Sequence, residues 1–259
     1  MSRPQRSEPQ YSLQSLERGI EILYQLADRP ARSVEELSRL LRCPRSTVYR
    51  TLGILRRAQL VDRDPASPGY RLGLGVLRMQ RAALQALPVR DAAFPVMREL
   101  AAQSGESVVL TVRRGDFGIA VESIESSAPV RVVPAPGESF PLHCGAPMKA
   151  ILAFLPDEEI RQYLRRTLER LTPRTITDPR RLRRHLAEIR ERGYAESWEE
   201  VYVGAVGVAA PIVGLDGHAV ASLGIAGPVH RMTSQRVGEL AGTVMAAAKD
   251  VSRRLQFSR

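Results

Sequence analysis

The stretch SVEELSRLLRCPRSTVYRTLGILRRAQLVDRDPASPGYRL, residues 33–72, decides how the first part of this chain folds. It begins with Ser33 and, three residues later, Glu36. This spacing is typical of a capping box, in which the hydroxyl and the carboxylate each accept a hydrogen bond from a free amide at a helix start. Apolar residues at helical spacing follow, so the pattern predicts a helix whose inner face includes Leu37 and Leu40.

A second helix is predicted directly after a short turn at residues 42–43. Pro44 suits its first position, because proline lacks the amide that would be unpaired there and its φ is already helical. Val48 and Leu52 then recur at helical spacing and should point inward. The residues left on the other faces are basic, hydroxyl-bearing or aromatic: Arg45, Ser46, Thr47, Tyr49 and Arg50. Two helices joined by a short turn predict a helix-turn-helix.

A β-hairpin is predicted after the second helix. Residues 60–63 and 70–72 have the composition of short strands, and the Asp-Pro-Ala-Ser-Pro-Gly segment between them is a dense turn signal. A helix pair alone is common in small helical domains, but a hairpin in this place indicates the wing of a DNA-binding fold. Arg63 and Arg71 are the candidate wing contacts. An arginine of the second helix can contact guanine with two hydrogen bonds, whereas hydroxyls and wing arginines mostly hold phosphate.

Several segments resemble the IclR family of bacterial transcriptional regulators, over about residues 12–257. In the first part of the chain they are residues 15–23, 44–50 and 70–73, and in the second part residues 142–155, 192–195 and 208–212. The resemblance implies an N-terminal winged helix-turn-helix that binds operator DNA and a C-terminal, GAF-like domain that binds a small effector. It also implies a homodimer or a dimer of dimers, with the linker helix pairing two chains.

Composition agrees with a DNA-binding protein of two domains. The chain has 259 residues, 44% of them hydrophobic, and a net charge of +10. Residues 1–80 carry 14 basic and 8 acidic side chains, a net +6, and the longer remainder carries 24 and 20, a net +4. The denser positive charge lies with the helix-turn-helix, where it attracts phosphate. Arginine provides nearly all of the positive charge. A high-GC genome would explain the use of arginine in place of lysine, but it would not explain why the net charge is positive.

No targeting or membrane segment is expected. Residues 1–10 are polar, and no apolar run approaches the roughly 18 residues of a membrane span. The two cysteines, Cys43 and Cys144, lie far apart and imply no disulfide framework. The sequence therefore predicts a cytoplasmic protein without a membrane partner.

The order of elements predicts an α+β fold, with the second domain built on an antiparallel sheet. We expect a disordered tail at residues 1–11, the winged helix-turn-helix at 12–73, a linker helix at 74–87 and the effector domain at 88–259. Within that domain, strands are expected at 107–113, 117–124, 130–133, 206–213 and 220–226, and helices at 89–104, 146–155, 157–166, 179–192 and 233–255. Hairpins in place of repeated βαβ units favour the antiparallel arrangement.

Catalysis finds little support in the sequence. A thiol beside an imidazole can be nucleophilic, as at His143 and Cys144, but adjacent residues rarely direct their side chains at each other and no third orienting group is evident. His185, His218 and His230 lack metal-ligand spacing. We therefore expect no catalytic residue, metal or cofactor. The alternative is a small-molecule-binding enzyme or sensor with an incidental DNA-binding domain, which turnover of a ligand would distinguish.

The resemblance also implies an effector site, at eight positions of this chain: Cys144, Gly145, Ala146, Ser197, Ala205, Gly207, Gly224 and Ala226. Nearly all are small, which either leaves room for a larger or aromatic ligand or allows tight packing of helix on sheet. Amides at the helix start near residue 144 suit a carboxylate. The chain departs from the family at residues 147–149, where a glycine usually precedes the lysine; Met148 would fill space there. We expect the effector to be a compact organic acid with an apolar or aromatic body.

Overall fold

The computed structural model describes residues 13–257 of the chain, so the tail predicted at residues 1–11 lies outside the described residues. Two units divide between Ala86 and Leu87. The first contains helices α1 to α4 and strands β1 and β2: α1 (Gln14–Asp28), α2 (Val34–Leu40), α3 (Arg45–Arg57), β1 (Val61–Arg63), β2 (Tyr70–Leu72) and α4 (Gly75–Gln85).

The capping box forms as the sequence predicts. The backbone amide of Ser33 donates to Glu36 Oε2 at 2.8 Å, and the amide of Glu36 donates to Ser33 Oγ at 3.2 Å. Pro44 was expected inside α3 but is the residue before it, with an extended ψ of 141°. Leu40 was expected inside but is 49% exposed. An α-helix turns about 100° per residue, so three residues fall about 60° short of a full turn. Leu40 therefore points roughly 60° away from the buried Leu37 and from the side of α2 that packs on α3.

The core of the first unit joins the helix pair to the hairpin. Leu37 of α2 and Val48 and Leu52 of α3 are buried with residues of α1 and of both strands. β1 and β2 pair antiparallel, and Tyr70 also bridges to Arg32 in front of α2. This common core holds the hairpin beside α3, which is the arrangement of a winged helix-turn-helix.

The second unit is a six-stranded antiparallel sheet with helices on both faces. Its elements are α5 (Pro88–Ser104), β3 (Ser107–Arg114), β4 (Phe117–Ile124), β5 (Ser139–Pro141), α6 (Ala146–Ala153), α7 (Asp157–Tyr163), α8 (Pro179–Arg192), β6 (Ala195–Trp198), β7 (Ala205–Val213), β8 (Ala219–Pro228) and α9 (Ser234–Phe257). The strand order is β5-β4-β3-β8-β7-β6. Along β7, side chains at even positions from 206 to 212 lie in a core with α5 and α9, whereas Ala209 between them lies in another core with α6, α7 and α8.

Three sequence predictions for this unit are wrong or incomplete. Residues 130–133 form no strand, because Pro129, Pro134 and Pro136 around them cannot donate to a sheet. The strand at that edge is β5, and β6 closes the other edge; neither was predicted. Helices α6 and α7 end earlier than expected, at Ala153 and Tyr163. The α+β architecture on an antiparallel sheet is confirmed.

Candidate functional site

Helix α3 presents an exposed basic surface in the first unit. Arg45, Ser46, Tyr49 and Arg50 are exposed, and α3 contains no acidic residue. The buried Val48 and Leu52 fix this orientation, because they hold the opposite face of α3 in the core. The helix therefore offers guanidinium, hydroxyl and aromatic groups to a partner.

The wing completes a groove beside that surface. Arg45, Ser46, Tyr49, Arg50 and Arg63 line one open depression, together with Val34, Glu35, Pro68 and Tyr70. The Arg63 guanidinium lies over the Tyr70 ring, 5.6 Å from its centroid, so a buried ring orients an exposed cation. Five of the seven residues predicted to bind DNA thus meet in one place.

The other two predicted residues lie outside the groove, and the one acidic residue that lines the groove, Glu35, was not predicted. Arg71 is exposed on β2, whereas Thr47 is half-buried and its carbonyl accepts the Thr51 hydroxyl at 2.9 Å. Glu35 pairs with Arg45, Nη1 to Oε1 at 3.4 Å. Glu35 was given no role from the sequence, because its contact with Arg45 depends on how α2 and α3 pack together. Both side chains are largely exposed, and the contact uses one of the guanidinium nitrogens of Arg45, which leaves its other donors open to a partner.

The second unit contains a cavity between the sheet and the start of α6. The space open to water-sized atoms in it is about 70 Å³, whereas about 10–15 Å³ suffices for one water. Its floor is formed by β3, β4, β7 and β8, and its walls by α6, by residues of β5 and β6, and by the segments before β5 and β7. The side chains around it are small or apolar and none is charged: Val109, Thr111, Gly118, Ala120, Val132, Pro134, Phe140, Gly145, Ala146, Pro147, Met148, Ser197, Val201, Tyr202, Ala205, Val206, Gly207, Ile225 and Ala226.

The structure brings six of the eight predicted effector positions into this wall. They are Gly145, Ala146, Ser197, Ala205, Gly207 and Ala226. Cys144 and Gly224 are absent from the lining. A Cβ at Gly224 would lie 3.1 Å from Pro147 Cγ and 3.2 Å from Ala209 Cβ, so this glycine allows α6 to approach the sheet. Of the two interpretations of the small residues, close packing therefore applies to Gly224. Gly207 lines the cavity, and a Cβ there would find ordinary contacts, 3.5 Å from the Ile225 carbonyl oxygen and 3.6 Å from Ala146 Cβ.

Hydrogen-bond donors lie at the start of α6, in addition to the hydroxyls of Thr111, Ser197 and Tyr202 in the lining. The Gly145 amide donates to Glu200 Oε2 at 3.2 Å. Within the described part of the chain, the amides of Ala146 and Met148 have no hydrogen-bond acceptor. Pro147 lacks an amide, so two free donors remain at the positive end of the helix dipole.

A buried ion pair stands directly behind this helix start. The ammonium of Lys149, with none of its side chain exposed, donates to Glu200 Oε1, to the Glu196 carbonyl at 2.9 Å and to His185 Nε2 at 3.1 Å. Burial lowers the pKa of His185 to about 3, so its ring is neutral and accepts this hydrogen bond. Glu200 connects the ion pair to the cavity wall through Gly145. Sequence reasoning found neither Glu200 nor its partner, since the two are 51 residues apart.

His143 and Cys144 do not form a nucleophilic pair. Burial raises the pKa of the Cys144 thiol to about 12, which keeps it protonated. Both ring nitrogens of His143 have hydrogen-bond partners, Nδ1 with the Tyr163 hydroxyl at 2.8 Å and Nε2 with the Glu169 carbonyl at 2.8 Å. Burial also lowers the pKa of His143. These groups stabilise the loop before α6 and offer no base to a thiol.

Residues 13–257 offer neither a metal site nor a membrane-spanning helix. No cluster of three or more His, Cys, Asp or Glu side chains there is arranged to hold a metal ion. No helix in that range is both long and apolar enough to cross a bilayer.

A winged helix-turn-helix followed by an antiparallel-sheet domain with an internal cavity defines a class of two-domain DNA-binding regulators. Comparison with known proteins gives the family. The model of the IclR helix-turn-helix domain matches residues 15–65, and that of the bacterial transcriptional regulator IclR C-terminal domain matches residues 81–253. The chain belongs to the IclR family of bacterial transcriptional regulators, as the sequence motifs indicate.

Named relatives are regulators rather than enzymes. The chain is 35% identical over 254 residues to the transcriptional repressor AllR of Escherichia coli K12, covering 96% of this chain and 94% of AllR. It is 36% identical over 233 residues to the transcriptional regulator KipR of Bacillus subtilis, covering 89% and 92%.

Solved structures share the fold over nearly the whole chain. The IclR of Thermotoga maritima has a TM-score of 0.78 at 30% identity, covering 94% of this chain and 99% of that one. An IclR homologue of Microbacterium hydrocarbonoxydans, solved in complex with 4-hydroxybenzoate, has a TM-score of 0.78 at 24% identity, covering 94% and 100%.

Proposed function

We propose that this regulator binds operator DNA through α3 and the wing, and that a small organic acid in the C-terminal cavity modulates this binding. For DNA binding, the supporting observation is the exposed basic face of α3 beside Arg63. In our assignment, Arg45 and Arg50 read base edges, while Ser46, Thr47, Tyr49, Arg63 and Arg71 hold the backbone. The wing arginines then contribute mostly electrostatic affinity, which falls as salt rises.

The cavity is the observation that carries the effector proposal. A buried carboxylate is costly unless it accepts several hydrogen bonds. The free amides of Ala146 and Met148, at the start of α6, supply two donors and a favourable dipole, and Ser197 adds a hydroxyl in the wall. The apolar remainder favours a carboxylic acid with an apolar or aromatic body over a small polar acid. The 4-hydroxybenzoate bound by the Microbacterium hydrocarbonoxydans homologue is an acid of this kind.

The proposed regulator acts as a homodimer or dimer of dimers in the cytoplasm, where its DNA is. Two-fold symmetry allows two helices to reach half-sites about one helical turn, ~34–36 Å, apart. Helix α4 supports this assembly, because Leu74 before it and Leu77 and Met79 within it are exposed, and no residue of α4 is buried. Exposed apolar side chains on one helix are typical of a surface that a second chain covers.

The test begins with a selection of genomic DNA fragments on the purified full-length protein. Fluorescence anisotropy then measures the dissociation constant of a selected fragment with and without benzoate or 4-hydroxybenzoate. A saturable shift of at least about fivefold, the usual lower range of allosteric coupling, is expected. Chromatography of the recovered acid separates this function from the alternative, since an enzyme would convert it. Chemical turnover, or the absence of any sequence preference in the selection, would contradict the proposal.

A further inference from the structure

Met148 occupies one end of the cavity. It is the third residue of α6 and is nearly fully buried, with its side chain directed back toward the helix start and the β4 strand. The cavity extends across the sheet from Phe140 and Gly118 on this side to Ser197 and Gly207 on the other. The Met148 thioether therefore lies where a longer ligand would extend toward β4.

Two glycines give this thioether its space. A Cβ at Gly118 would lie 2.7 Å from Met148 Cγ, and a Cβ at Gly145 would lie 3.0 Å from Met148 Cε. The first distance is shorter than real Cβ contacts and the second is tight, so a side chain at Gly118 would displace Met148 and one at Gly145 would push its Cε aside by a few tenths of an ångström. Gly145 also has a φ of +81°, which disfavours other residues there. The absence of a side chain at these two positions thus leaves the room that the long Met148 side chain occupies.

We propose that Met148 sets the upper size of the acid that this regulator accepts. This rests on the proposed function, because it names the residue that limits the ligand at the same site. The carboxylate anchors on the amides of Ala146 and Met148, and the apolar body extends over the sheet until it meets the thioether. Methionine suits this role, because its three rotatable bonds allow it to follow the outline of a ligand that fits and exclude one that is too large.

The test compares two aromatic acids on the full-length chain by isothermal titration calorimetry. Benzoate fits beside Met148, whereas 2-naphthoate carries a second ring of roughly the size of the thioether. Met148→Ala removes Cγ, Sδ and Cε, so it should raise the affinity for 2-naphthoate relative to benzoate at least about tenfold. Each buried CH₂-sized group contributes about fourfold, and the second ring adds more than two of them.

Matched variants distinguish this change in ligand preference from a general loosening of the core. Met148→Leu keeps the volume and should preserve the parent's preference. Ile151→Ala opens the core one turn along α6, away from the cavity lining, and should also leave the preference unchanged. A thermal melt followed through Trp198, the one tryptophan, verifies that each variant is folded. Met148→Val replaces Met148→Ala if the latter does not fold.

The outcomes distinguish the inference from the function on which it rests. Suppose that the folded Met148→Ala or Met148→Val variant binds benzoate but has the same ratio of 2-naphthoate to benzoate affinity as the parent. This result would overturn the role of Met148 and leave the proposed function standing. An equal change of this affinity ratio in Ile151→Ala would also overturn the role of Met148. If neither acid binds the parent or any variant, the proposed ligand class is wrong, and the inference fails with it.

Discussion

Replacing Glu200 with glutamine should destabilise the C-terminal unit more than any other single-atom change near the cavity. Glutamine keeps the shape of the side chain but removes the negative charge beside the fully buried Lys149 ammonium. Lys149 would keep its hydrogen bonds to the Glu196 carbonyl and His185 and lose its only buried counter-charge among the described residues. Breaking a buried pair in this way typically costs about 3–5 kcal/mol in the free energy of unfolding.

Urea denaturation followed through Trp198 fluorescence measures this loss. Trp198 lies on β6, two residues from Glu200, and reports on the C-terminal unit rather than on the helix-turn-helix. With a urea dependence of about 2 kcal/mol/M, the predicted loss moves the midpoint down by roughly 1.5–2.5 M. The matched control is Glu158→Gln, which breaks the exposed pair with Arg161 and should leave the midpoint unchanged.

The pH dependence provides a second, independent readout. Burial lowers the pKa of Lys149 from its ordinary 10.5, and Glu200 acts in the opposite direction. Between the folded and unfolded pKa values the unfolded chain binds more protons, so stability rises with pH in that window. Removing the Glu200 carboxylate lowers the folded-state pKa of Lys149 further, so the rise in stability begins at a lower pH. The deficit of Glu200→Gln should therefore shrink as the pH rises toward the ordinary pKa of lysine.

Two results would refute this reasoning. A midpoint shift as small as that of Glu158→Gln would mean that Lys149 finds water or another counter-charge in the folded protein. A deficit that stays constant across the pH range would mean that the variant fails for a reason other than a buried, unpaired ammonium.

Further predictions concern DNA, the cavity and the fold. Arg45→Ala should weaken binding to a selected operator by about 1–3 kcal/mol and relax the sequence preference. Arg63→Ala should instead weaken binding to all DNA sequences alike and flatten the salt dependence of the affinity. Anisotropy titrations at several salt concentrations compare the two variants. Gly207→Val should fill the cavity and abolish binding of 4-hydroxybenzoate in calorimetry, while the fold and operator binding persist. Ser33→Ala should cost about 1 kcal/mol in thermal unfolding of the first unit. Light scattering at micromolar concentration should give a dimer or larger assembly, and a monomer would contradict the proposed symmetry.

The winged helix-turn-helix was predictable because its signals are local. The capping box, the apolar spacing of α3 and the turn residues of the wing each act within a few residues, and the structure forms all three. Leu40 was mispredicted because a two-turn helix has room for only one inward line of side chains. Glu35 was missed for another reason: its contact with Arg45 depends on how two helices cross.

The cavity was predictable only in part, because its volume arises from segments distant in the sequence. Strand β6 has few strand-forming residues and exists because Ser197 and its neighbours pair with β7. The valines at residues 130–133 favour a strand, yet the prolines around them leave that segment as part of the cavity wall. The small residues at 207 and 224 look equivalent in the sequence, but only their neighbours reveal that a Cβ would make ordinary contacts at 207 and would be crowded by Pro147 and Ala209 at 224.

One titration tests the central claim that a ligand in this cavity controls DNA binding. Operator affinity is measured by anisotropy against increasing 4-hydroxybenzoate, in the parent and in Gly207→Val. A ligand shifts the equilibrium only if it binds the DNA-competent and DNA-incompetent forms unequally. We expect a saturable change of at least about fivefold for the parent and none for Gly207→Val, with equal operator affinity of the two proteins before ligand is added. The same response in both proteins would place the ligand elsewhere and contradict the account.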